Sequence, residues 1–295
     1  MKTNYVLITA ARNEEDYIER TIQSVISQTL LPKKWVIVSD GSTDSTNEIV
    51  RRYEANYDFI HLLQKETGTN RDFASKVYAV QSGIKQLKNI NYDFIGNLDA
   101  DISFESNYFE RLFEKFVHNH KLGIAGGWVQ ELQNGIYQGR FGNNTRNVPG
   151  AVQMFRRKCY EKIGGYIPNK PGGEDTIAEV MAQRYGWEVK SFIDIKVLHH
   201  RHTGRAQANI YIARFRFGIL SYSLGYHLVF ELVRCVSRIG LKPYVIGSFL
   251  TMIGYLFAFI RKDNRVVSDD FVKYLRRKQV QRLRAVFLKG KIKKK

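Results

Sequence analysis

Four short apolar runs, each followed by a polar loop and then a segment of helical period, constrain this chain more than any other feature. Residues 4–10, 35–39, 59–63 and 92–98 suit buried strands and are too short for core helices. Between them, residues 15–27 place Ile18, Ile22, Val25 and Ile26 at helical spacing, and residues 45–53 and 73–87 read as further helices. Strands alternating with helices predict an α/β chain with a Rossmann-like, mostly parallel sheet covered on both faces. In such sheets ligands bind beyond the carboxyl ends of the strands, so the loops there decide the chemistry.

Those loops exclude two familiar phosphate sites. The first strand is followed by Ala10-Ala11-Arg12-Asn13-Glu14, without the glycines of a dinucleotide fold, and no Gly-x-x-x-x-Gly-Lys-Ser/Thr occurs. The strand ends instead carry Arg12 and Glu14, then Asp40, then Asp99 and Asp101 in Asn97-Leu98-Asp99-Ala100-Asp101. Carboxylates suit ribose hydroxyls and base N–H groups, and a closely spaced pair suits a divalent metal holding a diphosphate.

Several motifs, in order, carry a resemblance. Leu7-Ile8-Thr9-Ala10-Ala11-Arg12-Asn13-Glu14-Glu15 and Val38-Ser39-Asp40-Gly41-Ser42-Thr43-Asp44 are followed by Lys76-Val77-Tyr78-Ala79 and the acidic pair. Gly164-Gly165-Tyr166, Gly173-Glu174-Asp175-Thr176 and Arg184-Tyr185-Gly186-Trp187 complete the series. Over roughly residues 4–200 this resembles family 2 glycosyltransferases. The resemblance implies the GT-A fold and inverting, metal-dependent transfer from a nucleotide-diphosphate sugar. It implies that Thr9, Ala10, Ala11, Arg12, Glu14 and Asp40 hold the nucleobase and ribose, with Arg71 and Lys76 near the nucleotide or its phosphates. It assigns Asp99 and Ala100 to the nucleotide, Asp101 to Mg²⁺ or Mn²⁺, and Asp175 to the general base. Gly127, Trp128, Gly173 and Glu174 are the candidates for the acceptor or sugar. The run Leu198-His199-His200-Arg201-His202 offers a metal histidine; a strand puts His199 and His200 on opposite faces, so one of the two is expected to face the ion.

Each of these residues has a plainer reading. Asp40 and Asp44 suit helix capping, Glu174-Asp175 suits a helix start, and Trp128 suits a core. A glycosidase would need two opposed carboxylates. Phosphatases of the Asp-x-Asp type place the pair after the first strand, not the fourth.

Charge divides the chain. Of the net +18, nearly all falls after residue 200, where 21 Lys and Arg face 4 Asp and Glu. Residues 1–204 are therefore expected to form the catalytic domain, with a nucleotide half to about residue 101 and an acceptor half beyond. Residues 205–288 are expected to be a basic helical region and 289–295 a disordered Lys-rich tail. Two cysteines, Cys159 and Cys235, make no disulfide framework, and the apolar run at the start is too short for a secretory leader. Uncharged stretches 217–230 and 244–260 are flanked by Arg and Lys; the second is at the lower edge of what crosses a core of about 30 Å. They predict helices lying in a membrane interface, with basic side chains on anionic headgroups. This points to the cytoplasmic face of the cell membrane, peripheral or monotopic, and to a glycan or lipid-linked acceptor. Nucleic acid is not expected, because aromatic residues cluster in long uncharged stretches. The competing readings are a non-catalytic transferase-like binding module, or a membrane-bound protein whose basic tail binds nucleic acid.

Overall fold

In the computed structural model the chain forms two compact units, residues 1–168 with 174–203, and residues 169–173 with 204–295. The structure describes residues 3–66, 73–133, 136–139, 143–201 and 209–292, with side chains as far as residue 286 apart from that of Gln133. Arg71, His202 and the last three lysines lie outside the described residues.

The first unit opens with β1 (Tyr5–Ala11), α1 (Ile18–Ile26), β2 (Lys34–Asp40), α2 (Thr46–Glu54), β3 (Ile60–Lys65), α3 (Ala74–Lys85) and β4 (Phe94–Leu98). β3, β2, β1 and β4 pair in that order, all parallel. β1, β2 and β4 are almost wholly buried, which explains their continuous apolar runs. Inside this sheet the indole of Trp35 donates to the Thr9 hydroxyl at 3.0 Å. The first helix begins at Ile18 rather than residue 15. The preceding turn is held by its neighbour loop: Glu15 N–H donates to Asp44 Oδ2 at 3.1 Å, and Ser45 N–H to Glu15 Oε2 at 3.0 Å.

The chain continues through β5 (Ile102–Phe104), α4 (Tyr108–His118), β6 (Leu122–Gln133), β7 (Ile136–Gly139), β8 (Val152–Arg156), α5 (Arg157–Ile163), α6 (Glu174–Arg184) and β9 (Glu188–His199). β8 joins β4 antiparallel, and the sheet runs on through β6 and β9 to β5. The result is a parallel half followed by a mixed half. Tyr5, Phe94, Phe113 and Phe116 pack their rings at 4.8–6.5 Å beneath α4, closing one face of the core.

The second unit contains α7 (Ile210–Ser223), α8 (Leu228–Ser237), α9 (Ile246–Ile260) and α10 (Asp269–Ile292). The uncharged stretch 217–230 is not one helix: Gly225, at φ +76°, turns the chain between α7 and α8. α7 and α9 touch through their backbones at Gly218 and Gly254, where a side chain would strike the Thr251 and Phe215 carbonyl oxygens. Among the described residues no helix is long and apolar enough to cross a membrane. α10 continues to Ile292, into the segment expected to be disordered; its Lys, Arg, Gln and Leu are strong helix formers.

Candidate active site

The acidic pair sits on the turn between β4 and β5, at the carboxyl edge of the parallel half. Thr21 of α1 fixes that turn from beneath. Its hydroxyl lies 2.8 Å from the Ala100 carbonyl and 2.7 Å from that of Ile102, and accepts the Ile102 N–H. β5 pairs with the end of β9, setting Ile102 opposite His199. His199 therefore turns toward the pair, with Nε2 3.1 Å from Asp101 Oδ1 and Nδ1 3.7 Å from Glu131 Oε1. One oxygen each of Asp99 and Asp101 and one nitrogen of His199 all lie within 4.8 Å of one another. His200 points the other way, to Ser103 Oγ at 2.8 Å and the Tyr137 hydroxyl at 3.0 Å. Burial alone would lower the His199 imidazole; the hydrogen bond and charge of Asp101 raise it above its usual value instead. His200 lacks such a partner, and burial with Arg20 lowers it.

Cations close the ring of acids. Arg201 pairs with Glu14, places Nε 3.4 Å from Asp101 Oδ2, and stacks its guanidinium 5.1 Å from the Tyr17 ring. Burial pushes the Glu14 carboxyl up to about 7; Arg201 opposes this, and Asp101, Asp99 and Asp44 add to it. Lys76 Nζ is 2.5 Å from Asp99 Oδ1 and 3.9 Å from Glu174 Oε1. Burial would lower its ammonium, but Asp99 and Glu174 hold it above the usual range. Burial raises Glu174 in turn, with Lys76 restraining it.

Asp175 lies in the first turn of α6. Its Oδ1 accepts the Thr176 N–H at 2.6 Å, and its Oδ2 accepts the Gly150 N–H at 3.2 Å. One turn along, Glu179 Oε1 accepts the Val148 N–H at 2.5 Å. The same loop is tied to β4, for Asn97 Nδ2 donates to the Gly150 carbonyl at 2.8 Å and Asp99 N–H to that of Ala151 at 3.0 Å. Residues 148–151 thus join the Asp99 turn to Asp175. A side chain at position 150 would lie 3.2 Å from Asp175 Cβ and Oδ2, a tight contact to which the carboxylate would have to give by a few tenths of an ångström. Burial, then Asp175, pushes the Glu179 carboxyl well above the carboxylate range.

The remaining candidates divide. Asp40 ends β2 with Lys65 Nζ 3.8 Å from Oδ1. Ala10 and Arg12 are half-buried on the β1 loop, whereas Thr9, Ala11 and Ala100 are buried. The Thr9 hydroxyl is occupied by Trp35 and the Ala100 carbonyl by Thr21, so contact with a ligand there would fall to backbone groups. Gly127 is buried, its N–H donating to the Tyr108 hydroxyl at 3.1 Å, and a side chain would meet the Ile195 carbonyl at 2.6 Å. Trp128 beside it is half-buried, 3.1 Å from where a Gly139 side chain would begin. Gly173, at φ +82°, belongs to the helical unit and faces Leu220 and Leu224. Sequence reasoning passed over Arg201, Glu131, Asn97, Thr21 and Glu179. Arg201 lay within the quoted histidine run and Asn97 within the quoted acidic stretch; Glu131, Thr21 and Glu179 carry no motif and are recognisable only from the packing.

The profile described as Glycosyl transferase family 2 matches residues 6–168. A poly-beta-1,6-N-acetyl-D-glucosamine synthase of Staphylococcus aureus is 35% identical over 119 residues, which are 40% of this chain and 26% of that relative. The corresponding synthase of Staphylococcus epidermidis is 33% identical over 118 residues, with the same coverage. The chain thus matches about a quarter of the length of these relatives. Among solved structures, the Pyrobaculum calidifontis mannosyltransferase PcManGT, in complex with GDP-Man and Mn²⁺, aligns with a TM-score of 0.55 at 15% identity. That alignment covers 93% of this chain and 79% of the other. Residues 1–349 of S. aureus TarS, in complex with UDP-GlcNAc, align with a TM-score of 0.54 at 15% identity, covering 94% and 83%.

Proposed function

Because this chain belongs to glycosyl transferase family 2 and has a GT-A-like fold, we propose that it moves a sugar from a nucleotide diphosphate to an acceptor hydroxyl with inversion at the anomeric carbon. One observation carries this reading. The loop bonded to Asp175 is also bonded to the strand end that bears Asp99 and Asp101, so a base and a diphosphate site stand side by side. UDP-GlcNAc and GDP-Man in the aligned structures make both nucleotides candidates for the donor.

Asp99, Asp101 and His199 fit a divalent cation. They offer two hard oxygens and an imidazole whose Nε2 lies on the side of the acidic pair, and the three ligand atoms lie within 4.8 Å of one another. Mg²⁺ or Mn²⁺ held there would offset charge on the departing diphosphate. The chain's own residues supply the rest. Asp175 takes the proton of the acceptor hydroxyl as its oxygen attacks the anomeric carbon and the bond to the diphosphate breaks. A single displacement inverts the configuration, so one base suffices. The loop 148–151 orients that base. Glu14 and Asp40 face the nucleoside, and Lys76 holds Asp99 in place. His200, turned to Ser103, is left out of the ligand set.

The helical unit favours a membrane-surface enzyme acting on a lipid-linked or cell-surface glycan. Exposed apolar side chains lie on α7, α8 and α9, and the basic excess is largest on α10, the two components that an interfacial region combines. Thermal shift with UDP- and GDP-sugars, with and without Mn²⁺ and chelator, paired with release of nucleoside diphosphate, tests the reading. A matched donor at a hundredfold excess over its dissociation constant stabilises the fold by about 2.7 kcal/mol. Neither stabilisation nor release with any donor would leave a non-catalytic binding module.

A further inference from the structure

The helical unit holds a second concentration of charge that sugar transfer does not use. Arg214 of α7, Arg234 of α8 and Arg238, which caps the carboxyl end of α8, line one narrow cleft whose other wall is Gly247, Ser248 and Thr251 of α9. Small residues make this wall, and a side chain at position 247 would begin 3.5 Å from Arg214 Nε. Neutralisation is incomplete. Arg234 Nη2 lies 2.5 Å from Oε1 of the fully buried Glu231 and 2.6 Å from Ser221 Oγ, while Arg214 Nη2 donates to the Lys242 carbonyl at 2.8 Å. The Arg238 side chain makes no hydrogen bond or close ion pair among the described residues; its guanidinium lies over the Phe217 ring at 5.7 Å and feels Glu231 only at longer range. Burial, then Arg234 and Arg214, depresses the Arg238 guanidinium.

Three guanidinium groups beside one carboxylate leave positive charge at a half-buried place, where an unpaired ion is costly and an anion is the natural complement. Planar forks on converging helices match the oxygens of a phosphate in pairs. Exposed apolar side chains flank the cleft residues in sequence: Val236 lies between Arg234 and Arg238, Ile246 precedes Gly247, and Phe249 follows Ser248. Such apolar neighbours suit a phosphate carried on hydrocarbon better than a free one.

We propose that this cleft binds the terminal phosphate of a membrane lipid, a monoester or diphosphate, with the flanking apolar side chains entering the acyl layer. The proposal rests on the membrane reading above and adds a specific site to it. It is tested on the full chain by co-sedimentation with phosphatidylcholine vesicles containing either phosphatidic acid, a monoester, or phosphatidylglycerol, a diester, adjusted to equal surface charge. The expected result is binding to both, about fivefold or more tighter to the monoester, because diffuse attraction does not distinguish headgroups at matched charge. Arg238→Gln is expected to bring the ratio below about twofold, while Lys273→Gln, exposed on α10, leaves it intact. Arg238→Lys keeps the charge without the fork and should lose most of the preference; its unchanged melting separates a lost contact from a lost fold.

Inorganic pyrophosphate should compete for the monoester vesicles. Binding to vesicles with no headgroup preference, or a preference that survives Arg238→Gln, overturns the cleft and leaves the membrane reading standing. No binding to either vesicle overturns both. Pyrophosphate binding without vesicle binding assigns the cleft to a soluble phosphate and overturns the lipid. Displacement from the vesicles by a single-stranded oligonucleotide but not by pyrophosphate assigns it to nucleic acid instead.

Discussion

Glu179→Gln is the sharpest perturbation of the base-bearing helix that leaves its shape unchanged. Glu179 is 8% exposed, and its Oε1 accepts the Val148 N–H; glutamine keeps that oxygen and the side-chain volume. Burial and Asp175 hold the folded carboxyl well above the ordinary value near 4.5, so the folded chain keeps a proton that the unfolded chain releases as pH rises. The sign follows from linkage: where the folded state binds more protons, stability falls with pH, by about 1.4 kcal/mol per unit for one proton. The contribution of Glu179 is therefore greatest at or below about pH 4.5 and declines above it. The variant has no such proton. Between pH 5 and 7 its stability relative to wild type should rise with pH, at a slope of up to about 1.4 kcal/mol per unit while the folded acid keeps its proton. Parallel melting curves for the two proteins across that range would refute the neutral, buried Glu179. Because glutamine keeps the oxygen that holds Val148, turnover should stay within about twofold.

Three further outcomes are expected. Gly150→Ala puts a carbon 3.2 Å from Asp175 Oδ2, so the carboxylate must give by a few tenths of an ångström; turnover should fall several-fold, up to about tenfold, with donor affinity unchanged, and equal loss of both would place Gly150 in donor binding instead. Lys76→Met leaves Asp99 and the buried Glu174 without their shared cation; chemical denaturation at pH 8 should show a loss of about 1–2 kcal/mol, smaller at pH 5 as Glu174 takes up a proton. Burial pushes the Cys159 thiol up to about 12, so a thiol reagent at pH 8 should label the native protein at Cys159 only at the rate of global unfolding.

The parallel half of the sheet was legible because strands buried on both faces write themselves as unbroken apolar runs, and the acids at their ends follow directly. Element ends moved where one loop holds another, as Glu15 and Asp44 do to set the start of α1. Alternation along β9 predicted that one histidine would face the acids, but only the pairing of β9 with β5 shows it to be His199. The roles of Glu179 and Asn97 were invisible because they depend on a loop more than 25 residues away from one and 50 from the other. Gly127, a sugar candidate by motif, has a packing reason in the carbonyl of Ile195 that sequence cannot display. The charge of the tail was plain from composition, yet the meeting of Arg214 with Arg238 needs the fold.

The most direct measurement compares Asp101→Asn and Asp175→Asn by calorimetric titration with the donor that stabilises the wild type, in Mn²⁺, alongside turnover. The division of roles predicts that Asp175→Asn binds donor and ion as the wild type does yet transfers nothing, while Asp101→Asn loses the Mn²⁺-dependent part of donor binding. Equal loss of donor affinity in both variants, or continued transfer by Asp175→Asn, would contradict it.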